Sequence, residues 1–252
     1  MTYNNYSSET WTEITTRILN FINNNPGPYY AAFDADGTLW DLDIGEIVFD
    51  HHIENCNLDL PAKPWDHYRK LKAKHPPTAY LWLAQILAGK TIEEVRGYTE
   101  AAYRNYELKN KTIPIFPQQQ KLFSWLHEIG VKVFIVTASI KWAVEEGGKF
   151  FNIPQERVLG VKTKLIEGKV SLEQDGPITY REGKAEAILE ATGGIAPIFC
   201  AGNTLGDEHL LKCSQLVRLA VSSHSMHEEL FKTESQLKEM AATMAWLTHK
   251  FR

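Results

Sequence analysis

The sequence predicts an α/β protein with a helical insertion. Short apolar segments with the length of buried strands alternate with longer segments of helical periodicity, a pattern typical of a sheet covered by helices. The alternation is interrupted after the first predicted strand, because residues 44–112 contain helical segments and no strand pattern. We therefore expect a core domain formed by residues 1–43 and 113–252, with residues 44–112 as an inserted helical cap over the strand ends.

Length and composition agree with this organisation. The chain has 252 residues, 44% hydrophobic and 23% charged, which is enough to bury the core of one domain with a sizeable insertion. The net charge of −4 favours no nucleic-acid partner, and no apolar run reaches the roughly 20 residues of a membrane-spanning helix. The three cysteines are scattered and no signal segment opens the chain, so we expect a reduced, cytoplasmic protein without a membrane partner.

The elements follow from apolar spacing and from turn residues. A first helix is predicted over residues 9–22 and a strand over 29–33, with an Asn- and Pro-rich turn between them. In the insertion, helices are predicted near 44–55, 64–73, 78–88 and 91–107, the last opened by a capping box at Thr91 and Glu94. The remaining predictions are a helix at 117–129, a strand at 131–136, a hairpin around 167–169, a helix at Lys184, strands at 197–201 and 217–221, and a closing helix within 226–248 that includes Trp246 and Leu247.

The clearest chemical signal is D-A-D-G-T at residues 34–38, directly after the first strand. Ligands bind at the carboxyl ends of parallel strands, so Asp34 and Asp36 are expected at the mouth of a site. Two carboxylates there suit Mg²⁺, and they can also serve as a nucleophile and as an acid–base pair. The same letters fit an ordinary strand followed by an Asp/Gly turn. A calcium-binding loop fits less well, because a strand and not a helix precedes the motif.

Three more polar segments follow in order. Thr137 and Ser139 end the second strand, where a hydroxyl beside helix amides can hold a phosphate oxygen. Lys184 begins a helix, and Asn203 and Asp207 follow the strand at 197–201. Each segment alone has a structural explanation, such as an N-cap or a solvated surface lysine.

Together, the four segments resemble the four motifs of the haloacid dehalogenase-like hydrolases, which are mostly phosphatases. The resemblance covers nearly the whole chain and implies a doubly wound, Rossmann-like parallel sheet with an all-helical cap between the first two motifs. The fourth motif departs from the usual G-D-x-x-x-D because Asn203 replaces its first acid, which removes a negative charge. The run Tyr80–Thr91 and the stretch Asp43–Glu46 are most similar to the phosphoserine phosphatase branch, and within it to bacterial phosphorylcholine phosphatases.

The resemblance implies hydrolysis of a phosphomonoester through an aspartyl-phosphate. It makes Asp34 the nucleophile and Asp36 the acid–base residue, while Thr137 and Lys184 hold the phosphoryl oxygens with help from Ser139. The implied ligands of Mg²⁺ are Asp34, the Asp36 carbonyl, Asp207 and Asn203.

Substrate selection is expected from the cap and from the segment after the first motif. By position, Asp43 or Glu46 would meet the cationic end of a substrate, and Trp40, Tyr68 and Trp82 are candidates for aromatic contacts with a quaternary ammonium group. The predicted partner is therefore a small phosphomonoester such as phosphocholine, phosphoethanolamine or phosphoserine. Simpler explanations stay open, because acids cap helices and helical aromatic residues usually pack into a core.

Two other functions also stay open. One is a binding protein that keeps the fold but has lost turnover, which Asn203 alone favours. The other is a dehalogenase, which shares the nucleophilic aspartate. Dehalogenation fits less well because it requires neither Mg²⁺ nor a proton-shuttling residue at Asp36.

Overall fold

The computed structural model describes residues 2–110, 112–226, 228 and 230–252. The chain forms two compact units. Unit 1 comprises Met1–Leu42, Pro114–Val136 and Arg181–Arg252, and unit 2 comprises Asp43–Ile113 and Thr137–Tyr180. Unit 2 therefore contains the segment predicted as a cap together with residues that the sequence analysis assigns to the core domain. The predicted domain boundaries stay a prediction.

The described residues form helices and strands that alternate outside the predicted insertion. In chain order these are α1 Ser8–Asn24, β1 Tyr30–Phe33, α2 Ile44–Asn55, α3 Pro64–Lys74, α4 Pro76–Gln85, α5 Ile92–Asn110, α6 Pro117–Glu128, β2 Lys132–Ile140, α7 Lys141–Gly148, β3 Val158–Val161, β4 Thr163–Ile166, β5 Lys169–Gln174, α8 Glu182–Ala191, β6 Phe199–Gly202, α9 Glu208–Cys213, β7 Val217–Ser222, α10 Phe231–Thr243 and β8 Leu247–Lys250.

The main sheet has six strands in the order β3-β2-β1-β6-β7-β8. The pairs β1–β2, β1–β6, β6–β7 and β7–β8 are all parallel. From β1 the chain continues to β2 and β3 on one side and later to β6, β7 and β8 on the other. The strand order thus reverses at β1, and such a switch point is where doubly wound sheets bind ligands. The predicted α/β, Rossmann-like fold is confirmed.

The core of unit 1 explains why β1 is short and apolar. Ala31, Ala32 and Phe33 are fully buried, as expected for a central parallel strand that is covered on both faces. The ring of Phe33 lies 4.3 Å from that of Phe123 on α6 and 5.0 Å from that of Phe199 on β6. These contacts fix the end of β1, from which the first motif continues.

The prediction of the closing helix was wrong at its C-terminal end. The helix α10 ends at Thr243, and Leu247 belongs to the edge strand β8. Ala245 adopts a left-handed conformation with φ 52°, and the Trp246 N–H donates to the carbonyl of Ala241, so the chain turns out of the helix there. Glycine usually occupies this position. Because alanine stands there instead, the sequence contains no signal for the end of the helix.

The strand β2 ends at Ile140, one residue beyond Ser139, and α7 follows directly, so the prediction that Thr137 and Ser139 end the second strand is confirmed. The separate strand β3 was missed, because its four residues directly precede the hairpin that was predicted as one unit.

Unit 2 contains the four predicted insertion helices and the predicted hairpin. The capping box of α5 is confirmed, because the Thr91 N–H donates to Glu94 Oε2 at 2.7 Å and the Glu94 N–H donates to Thr91 Oγ1 at 3.2 Å. The hairpin consists of the antiparallel strands β4 and β5. Across the described ranges, none of the helices combines the length and apolar character that crossing a bilayer requires. A cytoplasmic location stays a prediction.

One buried histidine of unit 2 should make stability depend on pH. His52 on α2 is 1% exposed, and its Nε2 has no hydrogen-bond partner among the described residues. Burial, followed by the neighbouring His51, lowers the pKa of His52 to about 4. In the unfolded chain the pKa returns to about 6.5, so the unfolded state binds the proton first as the pH falls.

We therefore expect the free energy of unfolding to fall as the pH decreases from about 6.5 to about 4, with His52 contributing about 3 kcal/mol of the loss. Urea denaturation over this range checks the slope. His52→Leu should remove most of this contribution, whereas the control His67→Gln, at an exposed position of α3, should keep it. Equal slopes in the His52 variant and the unchanged protein would contradict this assignment.

Candidate active site

The candidate site of unit 1 begins where β1 ends. Asp34 directly follows Phe33, and its N–H donates to the carbonyl of Ala201 on β6 at 2.9 Å. Asp34 is therefore held between two central strands at the switch point of the sheet. The side chain is buried, with the residue 6% exposed.

A lysine joins the first motif to the fourth. Lys184 on α8 is 3% exposed, and its Nζ lies 2.5 Å from Asp34 Oδ1 and 2.5 Å from Asp207 Oδ1. Three residues from distant parts of the chain, all predicted as site residues, thus form one buried ion-pair cluster. A buried charge of this kind is tolerated only when it is paired and hydrogen-bonded.

The carboxylates of Asp34, Asp36 and Asp207 outnumber the one ammonium group of Lys184, which leaves an excess of negative charge in this cluster. Burial and then the charge of Asp207 raise the pKa of Asp34 to about 7, although Lys184 acts in the opposite direction. Burial also opposes the charged form of Lys184. The carboxylates of Asp207 and Asp34 outweigh this effect and raise the pKa of the ammonium group above its ordinary value. A further cation near Asp34 would therefore be favoured.

The fourth motif is organised around the carboxylate of Asp207. Its Oδ2 accepts hydrogen bonds from the N–H groups of Asn203 and Thr204 at 3.1 and 3.0 Å, and from Thr204 Oγ1 at 3.2 Å. A Cβ at Gly202 would lie 2.4 Å from Asp207 Cβ, so only glycine allows the loop to fold this closely around the acid. One oxygen of Asp207 therefore fixes the loop while the other faces Lys184.

Asn203 lies against the first motif. The Oγ1 of Thr38 donates to Asp34 Oδ2 at 3.2 Å and lies 3.5 Å from Asn203 Oδ1. Gly37 has φ +73°, and a Cβ there would lie 2.1 Å from Asn203 Nδ2. Thr38 is thus a site residue that was not predicted from the sequence, although its position four residues after Asp34 in the motif is a usable signal.

Asp36 and Trp40 contact each other across the turn of the first motif. The Nε1 of Trp40 donates to Asp36 Oδ1 at 2.7 Å, and the Gly37 N–H donates to the Trp40 carbonyl at 2.9 Å. Trp40 is fully buried. Its observed contact is therefore with the predicted acid–base residue, and the hypothesis that it binds the substrate stays a prediction.

The second motif lies in unit 2. Thr137 is buried, and its Oγ1 accepts a hydrogen bond from the Ser139 N–H at 3.1 Å. Along β2, Thr137 stands two residues beyond Ile135, which pairs in register with Phe33. A Cβ at Gly45 would lie 2.9 Å from Ser139 Oγ, so the start of α2 packs closely on this strand end.

The acids that follow the first motif lie at the start of α2. Asp43 is the N-cap, and its Oδ1 accepts a hydrogen bond from the Glu46 N–H at 2.9 Å. The helix-capping explanation is thus confirmed for Asp43. Glu46 is an exposed residue of the first turn.

The predicted aromatic residues of the insertion form a cluster around Phe49. The ring of Phe49 lies 6.0 Å from Tyr68 and 5.7 Å from Trp82. Lys72 Nζ lies 5.6 Å from the ring centre of Tyr68, so a cation of the chain itself already contacts that ring. Tyr68 is buried in the core of unit 2, as helical aromatic residues usually are, whereas Trp82 is half-buried at its edge.

The donor groups of unit 1 fit a hard divalent cation. The carboxylates of Asp34 and Asp207, the amide of Asn203 and the backbone carbonyl of Asp36 offer oxygen atoms only, which is the chemistry that Mg²⁺ prefers. The excess negative charge at Asp34 acts in the same direction. Within the described ranges, no three side chains from histidine, cysteine and the acids converge as a group able to hold a metal.

Comparisons with known proteins agree with this geometry. Residues 31–212 match the family model of the haloacid dehalogenase-like hydrolases. The chain is also similar to phosphorylcholine phosphatase from Pseudomonas aeruginosa, with 25% identity over 227 residues that cover 73% of this chain and 65% of that protein. It thus spans slightly less than two thirds of the length of this relative.

Solved structures share the fold. A conserved protein of unknown function from Anaerococcus prevotii superposes with a TM-score of 0.67 and 15% identity, covering 92% of this chain and 90% of that chain. A phosphoserine phosphatase in its apo form gives a TM-score of 0.51 with 14% identity, covering 82% of this chain and 91% of that chain. At these identities the similarity concerns the fold alone.

Proposed function

The chain belongs to the haloacid dehalogenase-like hydrolase family, and on that premise we propose that it is a Mg²⁺-dependent phosphatase of a small phosphomonoester. The observation that carries the proposal is the buried cluster of Asp34, Lys184 and Asp207 at the switch point of the sheet. Such a cluster places a potential nucleophile beside a fixed positive charge. The named relative from Pseudomonas aeruginosa supports the phosphatase class.

In the first proposed step, a carboxylate oxygen of Asp34 attacks phosphorus. The bond between phosphorus and the ester oxygen breaks, and Asp36 gives its proton to the leaving alcohol. Lys184, together with Thr137, stabilises the negative charge that develops on the phosphoryl oxygens. Ser139 is proposed to assist Thr137, whose hydroxyl already accepts its N–H.

In the second step, Asp36 takes a proton from water while the water oxygen attacks phosphorus of the aspartyl-phosphate. The bond to Asp34 breaks, phosphate is released and the carboxylate is regenerated. The hydrogen bond from Trp40 holds one oxygen of Asp36 in place through both steps.

Mg²⁺ would be held by the oxygen atoms of Asp34, Asp207, the Asp36 main chain and Asn203. When bound, it supplies positive charge that polarises a phosphoryl oxygen. The fit rests on the all-oxygen donor set and on the negative charge around Asp34.

The proposed function predicts inorganic phosphate release that depends on Mg²⁺ and on Asp34. The substrates to compare are phosphocholine, phosphoethanolamine, phosphoserine and a generic aryl phosphate, each assayed with Mg²⁺ and with a chelator. We expect turnover with Mg²⁺ for at least one small cationic ester and loss of turnover in Asp34→Asn. Phosphate release that persists in Asp34→Asn would contradict the assignment of Asp34 as the nucleophile.

Phosphate release, together with analogue binding and halide release, separates the competing functions. A binding protein without turnover, which only Asn203 favours, would release no phosphate but would still bind a substrate analogue. A dehalogenase would release halide from a haloacid and would not require Asp36 as a proton shuttle. The intact residues Asp34, Asp36 and Lys184 favour the phosphatase over a binding protein without turnover. Asp36 favours it over a dehalogenase, which needs no proton shuttle there.

For the substrate, we propose an ester that carries an amino or ammonium group, selected by an acid at the start of α2. Asp43 already uses its carboxylate to cap this helix. Glu46, an exposed acid in the first turn of the same helix, is the other proposed acid, and changing its side chain leaves the Asp43 cap in place. Asp43, Trp40, Tyr68 and Trp82 stay proposed substrate contacts.

Glu46→Gln should raise KM for phosphocholine about 10-fold, the size expected for losing one favourable charge interaction, and leave KM for an uncharged aryl phosphate unchanged. Steady-state kinetics with both substrates measures the difference. Glu93→Gln, an exposed acid in the first turn of α5, is the matched control. If both substrates respond equally to the Glu46 change, recognition of the cationic group by this acid is wrong.

A further inference from the structure

The amide of Asn203 contacts a buried acid that none of the four motifs contains. Asn203 Nδ2 donates to Glu234 Oε1 at 3.1 Å, and both residues are buried, with Glu234 only 2% exposed. Glu234 lies on α10, far from the fourth motif along the chain. The residue that replaces the usual acid is therefore paired with another acid.

This contact determines which way the amide faces. An ionised carboxylate can only accept hydrogen bonds, so the nitrogen of Asn203 must be the atom that faces Glu234. The oxygen of the amide then lies on the side of Thr38, whose hydroxyl also donates to Asp34. Glu234 thus directs the amide oxygen of Asn203 toward the hydroxyl of Thr38 in the first motif.

Glu234 is itself held by several donors. Its carboxylate accepts from the Ser223 N–H at 3.2 Å, from the His224 N–H at 3.0 Å and from His224 Nδ1 at 2.7 Å. These bonds fix the carboxylate at the end of β7. The position of the Asn203 amide consequently depends on a rigid network and not on the loop of the fourth motif alone.

We propose that Glu234 is a positioning residue that holds the Asn203 oxygen in the orientation needed to bind a divalent cation. Glu234 also carries, next to the amide nitrogen, the negative charge that an acid at position 203 would supply. The role in cation binding rests on the proposed function. The orientation of the amide by Glu234 does not, because it concerns the metal-free protein.

Asn203→Asp restores the usual family motif, yet it should be harmful in this chain because of Glu234. The new carboxylate would place an oxygen against Glu234 Oε1, where the amide nitrogen now lies at 3.1 Å. Two buried carboxylates in contact repel each other, so the restored motif should be harmful alone. In Asn203→Asp combined with Glu234→Gln, the new amide nitrogen can donate to the new carboxylate and to Nδ1 of a neutral His224, which contacts the same Glu234 oxygen, so the pair is restored with its roles exchanged.

A double-mutant cycle on metal-free protein tests the orientation. We expect Asn203→Asp to lower Tm by about 10 °C and the double variant to recover most of that loss. Glu239→Gln, an exposed acid on the same helix, is the control and should leave Tm unchanged. Equal stability of Asn203→Asp and the unchanged protein, or additive losses in the double variant, would overturn the proposal.

Calorimetric titration with Mg²⁺ tests the role in cation binding without any substrate. Glu234→Gln should weaken Mg²⁺ binding about 10- to 100-fold, as loss of a group behind a metal ligand typically does, and the double variant should restore it. If Glu234→Gln is too unstable to titrate, the folded double variant and Glu239→Gln provide the comparison, and weak binding in the double variant counts against the proposal.

The outcomes distinguish this proposal from the proposed function. Phosphate release together with unchanged Mg²⁺ affinity in Glu234→Gln would reject the role of Glu234 and leave the phosphatase assignment intact. A coupled stability cycle without phosphate release from any ester would keep the orientation by Glu234 and reject the phosphatase assignment.

Discussion

The structure of unit 1 depends on the position of one ammonium group. Lys184 Nζ lies between Asp34 and Asp207, and all three groups are buried. Removing a single partner from such a cluster would leave an uncompensated charge in a low-dielectric interior, which costs about 3–5 kcal/mol. The end of β1, the start of α8 and the loop after β6 must therefore meet at this point. The arrangement required for folding also brings a carboxylate and a fixed positive charge to the switch point of the sheet.

Around this cluster, the fourth motif combines rigidity with an altered charge. Asp207 fixes the loop through bonds from the backbone of Asn203 and Thr204, and Gly202 allows the close approach. Asn203 carries no charge, but Glu234 lies directly behind its amide. The fourth motif lacks a negative charge at position 203, and Glu234, which contacts the Asn203 amide, supplies one instead. This placement is consistent with a site that keeps cation binding while one ligand position is neutral.

Much of this fold could be predicted because apolar runs end abruptly at polar or glycine-containing motifs. The strands β1, which ends directly before Asp34, and β6, which ends at Gly202, are confirmed for this reason, and so is the capping box at Thr91. The edge strand β8 could not be predicted, because its four residues are only partly buried and Ala245 gives no helix-stop signal. The contact between Glu234 and Asn203 could not be predicted from the sequence either, since an acid on an amphipathic helix usually faces solvent. Local patterns therefore predict which residues stand at the strand ends, while long-range partners need the structure.

The central claim is that the carboxylate held by Lys184 forms a covalent bond to phosphorus. The most direct measurement is acid quenching of the protein during turnover of its best ester with Mg²⁺, followed by mass spectrometry of its peptides. We expect the added mass of one phosphoryl group on the peptide that contains Asp34, and no such peptide in Asp34→Asn. A phosphoryl group on a different residue, or full turnover by Asp34→Asn, would contradict it.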